Sequence, residues 1–188
     1  MTDKVSSKDK LIKTASRLFQ LQGYHATGLN QITKESGAPK GSLYYHFPNG
    51  KEELAIESVR LTAKFVTNRM NASLRKKDDP VEAIQQFIVE LVEEFKQERR
   101  TDGVPIAAVA LETALVSEPL REECRLAYES FQNVFTNKLI ASGYDEKKAK
   151  ELGVVIHSMI EGSFLTSFTA GNVDALLVIS KQIPVLLN

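Results

Sequence analysis

The chain has 188 residues, 43% of them hydrophobic and 26% charged, with 24 basic side chains balanced by 24 acidic ones. That is the make-up of an ordinary soluble globular protein, somewhat large for one compact unit and small for two full domains. The 10 glycines and 6 prolines are few for an all-β architecture, and a lone Cys124 excludes an intrachain disulfide and fits a reducing cytosol. Neutrality argues against a nucleic-acid partner until the chain is divided. Residues 1–50 carry seven basic groups against three acidic, and the remaining 138 carry 17 against 21. Phosphate attraction is screened beyond about 8–10 Å, so a basic head on an acidic body can still dock on DNA. No apolar signal region opens the chain, and the weakly charged stretch 162–173 is too short to span a bilayer. The composition therefore reads as a cytoplasmic protein with no membrane partner.

The hydrophobic period is helical almost throughout. Residues 8–22 put Leu11, Ala15, Leu18 and Phe19 on one face, with Gly23 as the stop. Leu29 to Ser36 is a short helix ended by Gly37, and Pro39 opens another that runs to about Phe47. After the turn Pro48-Asn49-Gly50, Asn49 and Glu52 resemble a capping box for a helix through Leu54, Val59, Leu61 and Val66 towards Met70. Asp78-Asp79-Pro80 is a break, followed by an amphipathic face of Val81, Ile84, Ile88, Leu91, Val92 and Phe95. Thr101-Asp102-Gly103 is the next break. Pro105 to Leu115, Glu118 to Ser142, Asp145 to about Ala170 and Val173 to Leu187 complete the set, with Pro184 expected to disturb the last turn. No stretch alternates with period two for long enough to demand a strand. The fold class is all-α.

The informative block runs from Thr27 to Phe47, where two short helices meet at a tight turn, the layout of a helix-turn-helix. At 100° per residue Leu43 and Phe47 point the same way and form the buried side of the second helix. Tyr45 lies opposite them, beside Gly41 and Ser42, with Lys40 at the helix N-terminus. Such a face suits a major groove. Lys40 can donate to guanine, Ser42 can donate or accept, Gly41 admits close backbone approach, and Tyr45 can lie on a thymine methyl or a phosphate. Tyr44 and His46, on the flanks, suit phosphate oxygens, as do the helix N-termini near Thr27 and Lys51.

Phe19, Gly23-Tyr24, Thr27, Ile32, Gly37, Lys40-Gly41-Ser42-Leu43-Tyr44, His46-Phe47 and Lys51-Glu52-Glu53-Leu54 resemble the signature of the TetR family of repressors. The turn after His46-Phe47 is one residue longer than the commonest family form. That length resembles the LmrA/YxaF subgroup, as do Leu21-Gln-Gly-Tyr24, Gly37-Ala-Pro-Lys-Gly41, Glu112-Thr-Ala114 and Ser117-Glu-Pro-Leu-Arg121. The resemblance implies about nine helices. Residues 5–52 would form a three-helix DNA-binding domain, and residues 53–188 a helical domain for ligand binding and dimerisation.

In the last two long helices Val154, Val155, Ile156, Met159, Ile160, Phe164, Leu165 and Phe168 cannot all face one core, and Gly162, Ser163 and Ser167 permit close helix approach. A homodimer through Ile156, Met159, Ile160, Gly162, Ser163, Phe164, Leu176, Ile179 and Ile183 is expected. The resemblance implies such a four-helix interface, and a two-fold dimer would read two half-sites of a palindromic operator in double-stranded DNA. It also implies a small-molecule effector. Candidate walls are Phe87, Phe95, Phe131, Phe135 and His157, whose character suits an apolar or aromatic compound; the subgroup points to drug-like or plant-phenolic ligands and to genes for efflux or detoxification. No cofactor and no metal site are expected. The three histidines (25, 46 and 157) are far apart, with no phosphate loop or nucleophile elbow to support an enzyme. A ligand-binding helical protein that regulates by another route, as an activator or through a protein partner, stays open as the second alternative.

Overall fold

The structure of the chain, a computed structural model, describes residues 6–97 and 106–188, the Lys40 side chain excepted. Among these residues every regular element is an α-helix: α1 (Ser7–Gln22), α2 (Leu29–Ser36), α3 (Lys40–His46), α4 (Lys51–Leu74), α5 (Pro80–Lys96), α6 (Ala107–Thr113), α7 (Glu118–Ala141), α8 (Glu146–Ala170) and α9 (Asp174–Leu187). The expected helices are all present, their ends displaced by about a turn at most. The expected break at residues 101–103, the helix start at Pro105 and residue 5 of the expected head lie outside the described residues.

Local chemistry explains the ends. Ser6 caps α1: its hydroxyl accepts from the Asp9 N–H at 3.1 Å and donates to the Asp9 carboxylate at 2.7 Å. Gly37, at φ +63, closes α2 in the left-handed region that a Cβ resists. The cap of α4 departs from expectation. Because the longer turn makes Gly50 the residue before the helix, the third helical position is Glu53, and it is Glu53 that accepts from the Asn49 N–H at 3.0 Å. Glu52 is left to accept from the Ser117 hydroxyl at 2.6 Å. Asp79 caps α5 through the Glu82 N–H at 2.8 Å, with Pro80 in the first turn, where its missing N–H costs nothing. Pro184 does not end α9, which continues to Leu187. There the Tyr144 hydroxyl donates to the Leu187 carbonyl at 2.7 Å.

The chain divides into two compact units, Met1–Lys64 with Asp102–Ala127, and Phe65–Thr101 with Tyr128–Asn188. The expected boundary after residue 52 falls within the first turn of α4, and α4 and α7 contribute to both units. In the first unit α1 packs on α2, α3 and α6. Leu11, Phe19, Ile32, Leu43, Phe47 and Leu54 are among its fully buried side chains. Each such side chain contributes on the order of 1.5–3 kcal/mol. In the second unit α9 packs on α5 and α8, over a core that includes Ile84, Ile88, Phe135, Leu139, Ile156, Leu176 and Ile183. Close approach of α7 and α8 is fixed by Gly153, where a Cβ would lie 2.3 Å from Thr136 Oγ1 and 2.9 Å from the Gln132 carbonyl oxygen. No helix among the described residues is long and apolar enough to cross a membrane.

Candidate functional site

The short helix α3 is held by two apolar anchors, Leu43 and Phe47, 1% and 0% exposed. Anchoring one side this firmly fixes what the other side presents. Tyr45 is 82% exposed and Tyr44 64%, and Gly41 is open, with no atom within 4 Å of where its Cβ would be. The Tyr45 ring packs edge-on against His46 at 5.0 Å, which limits its wander. Ser42 is half-buried and donates its hydroxyl to the Pro39 carbonyl at 2.7 Å, which leaves its oxygen lone pairs rather than a free proton for another partner. His46 is half-buried and bonded to the Ser7 hydroxyl at 2.9 Å, a tie from the end of α3 to the start of α1. The Lys40 side chain lies outside the described residues.

The helix N-termini beside α3 complete the surface, with one correction. Thr27 is fully buried: its hydroxyl donates to the Gly23 carbonyl at 2.7 Å and accepts from Gln22 at 3.2 Å. Its side chain stabilises the α1–α2 corner and does not face outward. The group that opens α2 is Gly28, whose lack of a side chain leaves the first N–H groups of the helix without a side-chain cap. Lys51, at the start of α4, is half-buried. Its Nζ lies 4.4 Å from the Tyr24 ring centroid and 3.4 Å from the His25 carbonyl. Burial lowers the Lys51 pKa, and the nearby Glu112 carboxylate opposes the shift. Glu112, on α6, accepts from the His25 N–H at 2.6 Å.

The effector candidates all belong to the second unit. Phe87 and Phe135 pack edge-on at 6.1 Å, and Phe131 lies 5.8 Å from His157. Phe87, Phe131, Phe135 and His157 are buried, while Phe95 is partly open and meets Phe164 at 6.4 Å. Tyr128 and Glu161 join this cluster. The Tyr128 ring lies against both Phe131 and His157, and its hydroxyl donates to Glu161 at 3.2 Å. Burial pushes the His157 imidazole down to about 4 and raises the Glu161 carboxyl. An apolar surround therefore holds a neutral imidazole and a carboxyl that is costly to ionise. Cys124, buried in the first unit, is pushed up to about 11 by burial and by Glu123, so its thiol stays protonated and unreactive at neutral pH.

Comparison with known proteins decides what kind of molecule carries this surface. Residues 11–57 match the family model for bacterial regulatory proteins of the tetR family. Residues 80–182 match that for the C-terminal domain of LmrA/YxaF-like transcriptional regulators. The chain belongs to the TetR family of transcriptional regulators. It is 53% identical to the HTH-type transcriptional regulator YxaF of Bacillus subtilis, over 99% of this chain and 97% of that one. To the HTH-type transcriptional regulator LmrA of the same organism it is 50% identical, over 96% of each. IcaR, a negative transcriptional regulator of the biofilm operon icaADBC in Staphylococcus aureus, is 32% identical over 76% of this chain and 72% of its own. The reduced form of Escherichia coli NemR superposes with a TM-score of 0.84 over 94% of both chains at 17% identity, which shows the fold alone. TetR-family proteins regulate transcription, and the enzyme alternative is set aside.

Within this TetR-family frame the apolar side chains of α8 and α9 divide differently from expectation. Ile156, Ile160, Ser163, Leu176 and Ile183, expected at a dimer interface, are buried in the protomer's own core. Met159, Phe164 and Ile179 are partly covered, and Gly162 is open. The exposed apolar side chains are Val154, Val155, Leu165 and Phe168 of α8 and Leu177, Val178 and Val185 of α9. A helix that is apolar on more than one side leaves the sequence unable to say which stripe turns inward. The contacts of Glu112, Tyr128 and Glu161 were also beyond reach of sequence reasoning. Glu112 and His25 are 87 positions apart, and Glu161, in a stretch that reads as helix packing, shows its Tyr128 partner only once α7 lies beside it.

Proposed function

We propose that the protein is a transcriptional repressor that binds a palindromic operator in double-stranded DNA as a homodimer and is released by a small apolar or aromatic effector. The face of α3 carries this reading. Two exposed tyrosines and an open Gly41 stand opposite Leu43 and Phe47 on a seven-residue helix, and two large exposed rings gain nothing for a free monomer. Tyr45, Gly41, Ser42 and Lys40 address the major groove. Tyr44, His46, Lys51 and the uncapped start of α2 address phosphates. The negative regulation printed for IcaR supports the sign. The dimer forms through the exposed stripe of α8 and α9, where open Gly162 allows the helices of two protomers to approach. The effector lodges against Phe87, Phe95, Phe131, Phe135 and His157, with Glu161 accepting a hydrogen bond from it, and it acts by preferring the conformation that does not fit the operator.

The test is a fluorescence-anisotropy titration onto labelled DNA from upstream of the protein's own gene, with excess random competitor. If that fragment fails, oligonucleotides selected from a random pool replace it. Expected is competitor-resistant binding that weakens with salt. Binding to selected DNA no tighter than to random DNA overturns the proposal.

A further inference from the structure

Three features of the first unit converge on the α1–α2 corner. The first is a missing side chain. Gly23 sits at φ +83, and a Cβ there would fall 1.8 Å from Glu112 Oε1, so a side chain at position 23 would displace the Glu112 carboxylate from its place. The second is a bracketed peptide. His25 offers its N–H to Glu112 at 2.6 Å and its carbonyl to Lys51 at 3.4 Å. The third is a placed charge. The Lys51 ammonium, over the Tyr24 ring, lies close enough to Glu112 for the two charges to interact. Four residues on from Tyr24, Gly28 opens α2 with no side-chain cap on its first N–H groups. The corner therefore fixes two phosphate donors relative to one another: the start of α2 and the ammonium that opens α4.

Resting on the DNA-binding reading above, we propose that Glu112 is a positioning residue for DNA binding, which touches no DNA itself but holds the His25 peptide and the Lys51 ammonium where backbone phosphates meet them. α6 is only seven residues long and starts at Ile106 with φ +70, a conformation that a β-branched residue adopts at a cost. So short a helix persists through what it packs against, and its packing on α1 delivers Glu112 to the corner.

The experiment uses the full chain and a selected operator, with affinities measured at several salt concentrations for wild type, Glu112→Ala, Glu112→Gln, Lys51→Ala and Glu112→Gln/Lys51→Ala. Circular dichroism confirms the fold of each. Glu112→Ala should weaken binding about tenfold, the scale of a lost charge-assisted hydrogen bond. Glu112→Gln keeps an acceptor for His25 but loses the charge, and should recover part of that loss. The double variant should bind no more than twofold more weakly than Lys51→Ala, with the same salt slope, because the charge of Glu112 acts through Lys51. Should Glu112→Ala fail to fold, the Gln series carries the same comparison. Wild-type affinity in both Glu112 variants overturns the proposal, as does a double variant whose loss is the full product of the single losses. Failure of the wild type to bind any DNA overturns the reading beneath it as well.

Discussion

Tyr45 shows how much a single side chain can decide. Its ring stands 82% exposed beside His46 and supports nothing in the core. Tyr45→Ala is therefore expected to cut operator affinity at least tenfold, the scale of a lost base contact, with helicity and thermal midpoint unchanged. Titration against operator and random DNA checks this, and an operator affinity within twofold of wild type would assign the groove-facing side elsewhere. Lys51 predicts a different signature. A lost phosphate contact weakens specific and random DNA alike and lowers the salt slope by about 0.9; a loss confined to the operator would contradict that role. His157 ties stability to acid. Folded, its imidazole takes a proton only near pH 4, against 6.5 when exposed in the unfolded chain. Between those values the unfolded state binds more protons. The His157 contribution is therefore complete above pH 6.5 and declines by up to about 3 kcal/mol as pH falls towards 4. Around it stand the Tyr128 and Phe131 rings and, one turn along α8, Glu161. The raised carboxyl of Glu161 works in the opposite sense, its burial penalty easing as it takes a proton. Urea midpoints at pH 7.5, 5.5 and 4.5 should fall less steeply in His157→Gln than in wild type. Equal slopes would mean that the imidazole is not buried neutral.

At the scale of elements, periodicity was informative where one side of a helix is polar and silent where neither is. In α3, Leu43 and Phe47 four residues apart could be read as the buried side, which fixed Tyr45 as its opposite. In α8, Ile156 and Val155 look alike in sequence, yet one is 0% exposed and the other 41%. Only the packing of neighbouring helices on α8 separates them. Thr27, beside a helix start expected to offer N–H groups to phosphate, turns its hydroxyl inward to the Gly23 carbonyl, which periodicity does not reveal. Gly153 shows what the sequence conceals most completely. Alanine there improves helix propensity by about 1 kcal/mol. Its methyl group, however, would press on the α7 backbone at 2.9 Å and on Thr136 at 2.3 Å. Gly153→Ala should destabilise the protein by about 1–3 kcal/mol, read as a lower urea midpoint at unchanged slope. A rise in midpoint would mean that α7 and α8 are not in close contact.

For the whole molecule, the sequence conveyed the fold class and the placing of every described helix, and the uneven charge separated a basic head from an acidic body. It could not convey the polar ties that join segments far apart in the chain, such as that from Glu112 to His25 in the first unit. Gly162 offers the cleanest test of assembly. A Cβ there meets nothing within 4 Å in the protomer. Gly162→Leu should therefore leave the protomer intact or more stable by a few tenths to about 1 kcal/mol, while blocking close approach of a second copy. Sedimentation is expected to show a dimer for wild type and a monomer for the variant, with operator binding lost in parallel. A dimeric Gly162→Leu would move the interface off this stripe.

The exposed stripe of Val154, Val155, Leu165, Phe168, Leu177 and Val178 also bears on dosage. If the DNA-reading species is the pair, then below the dissociation constant of that pair, halving the number of chains in a cell quarters the number of readers. A modest fall in synthesis, or a single round of cell division without replenishment, would then open the controlled genes far more steeply than a monomeric reader could, before any effector is present.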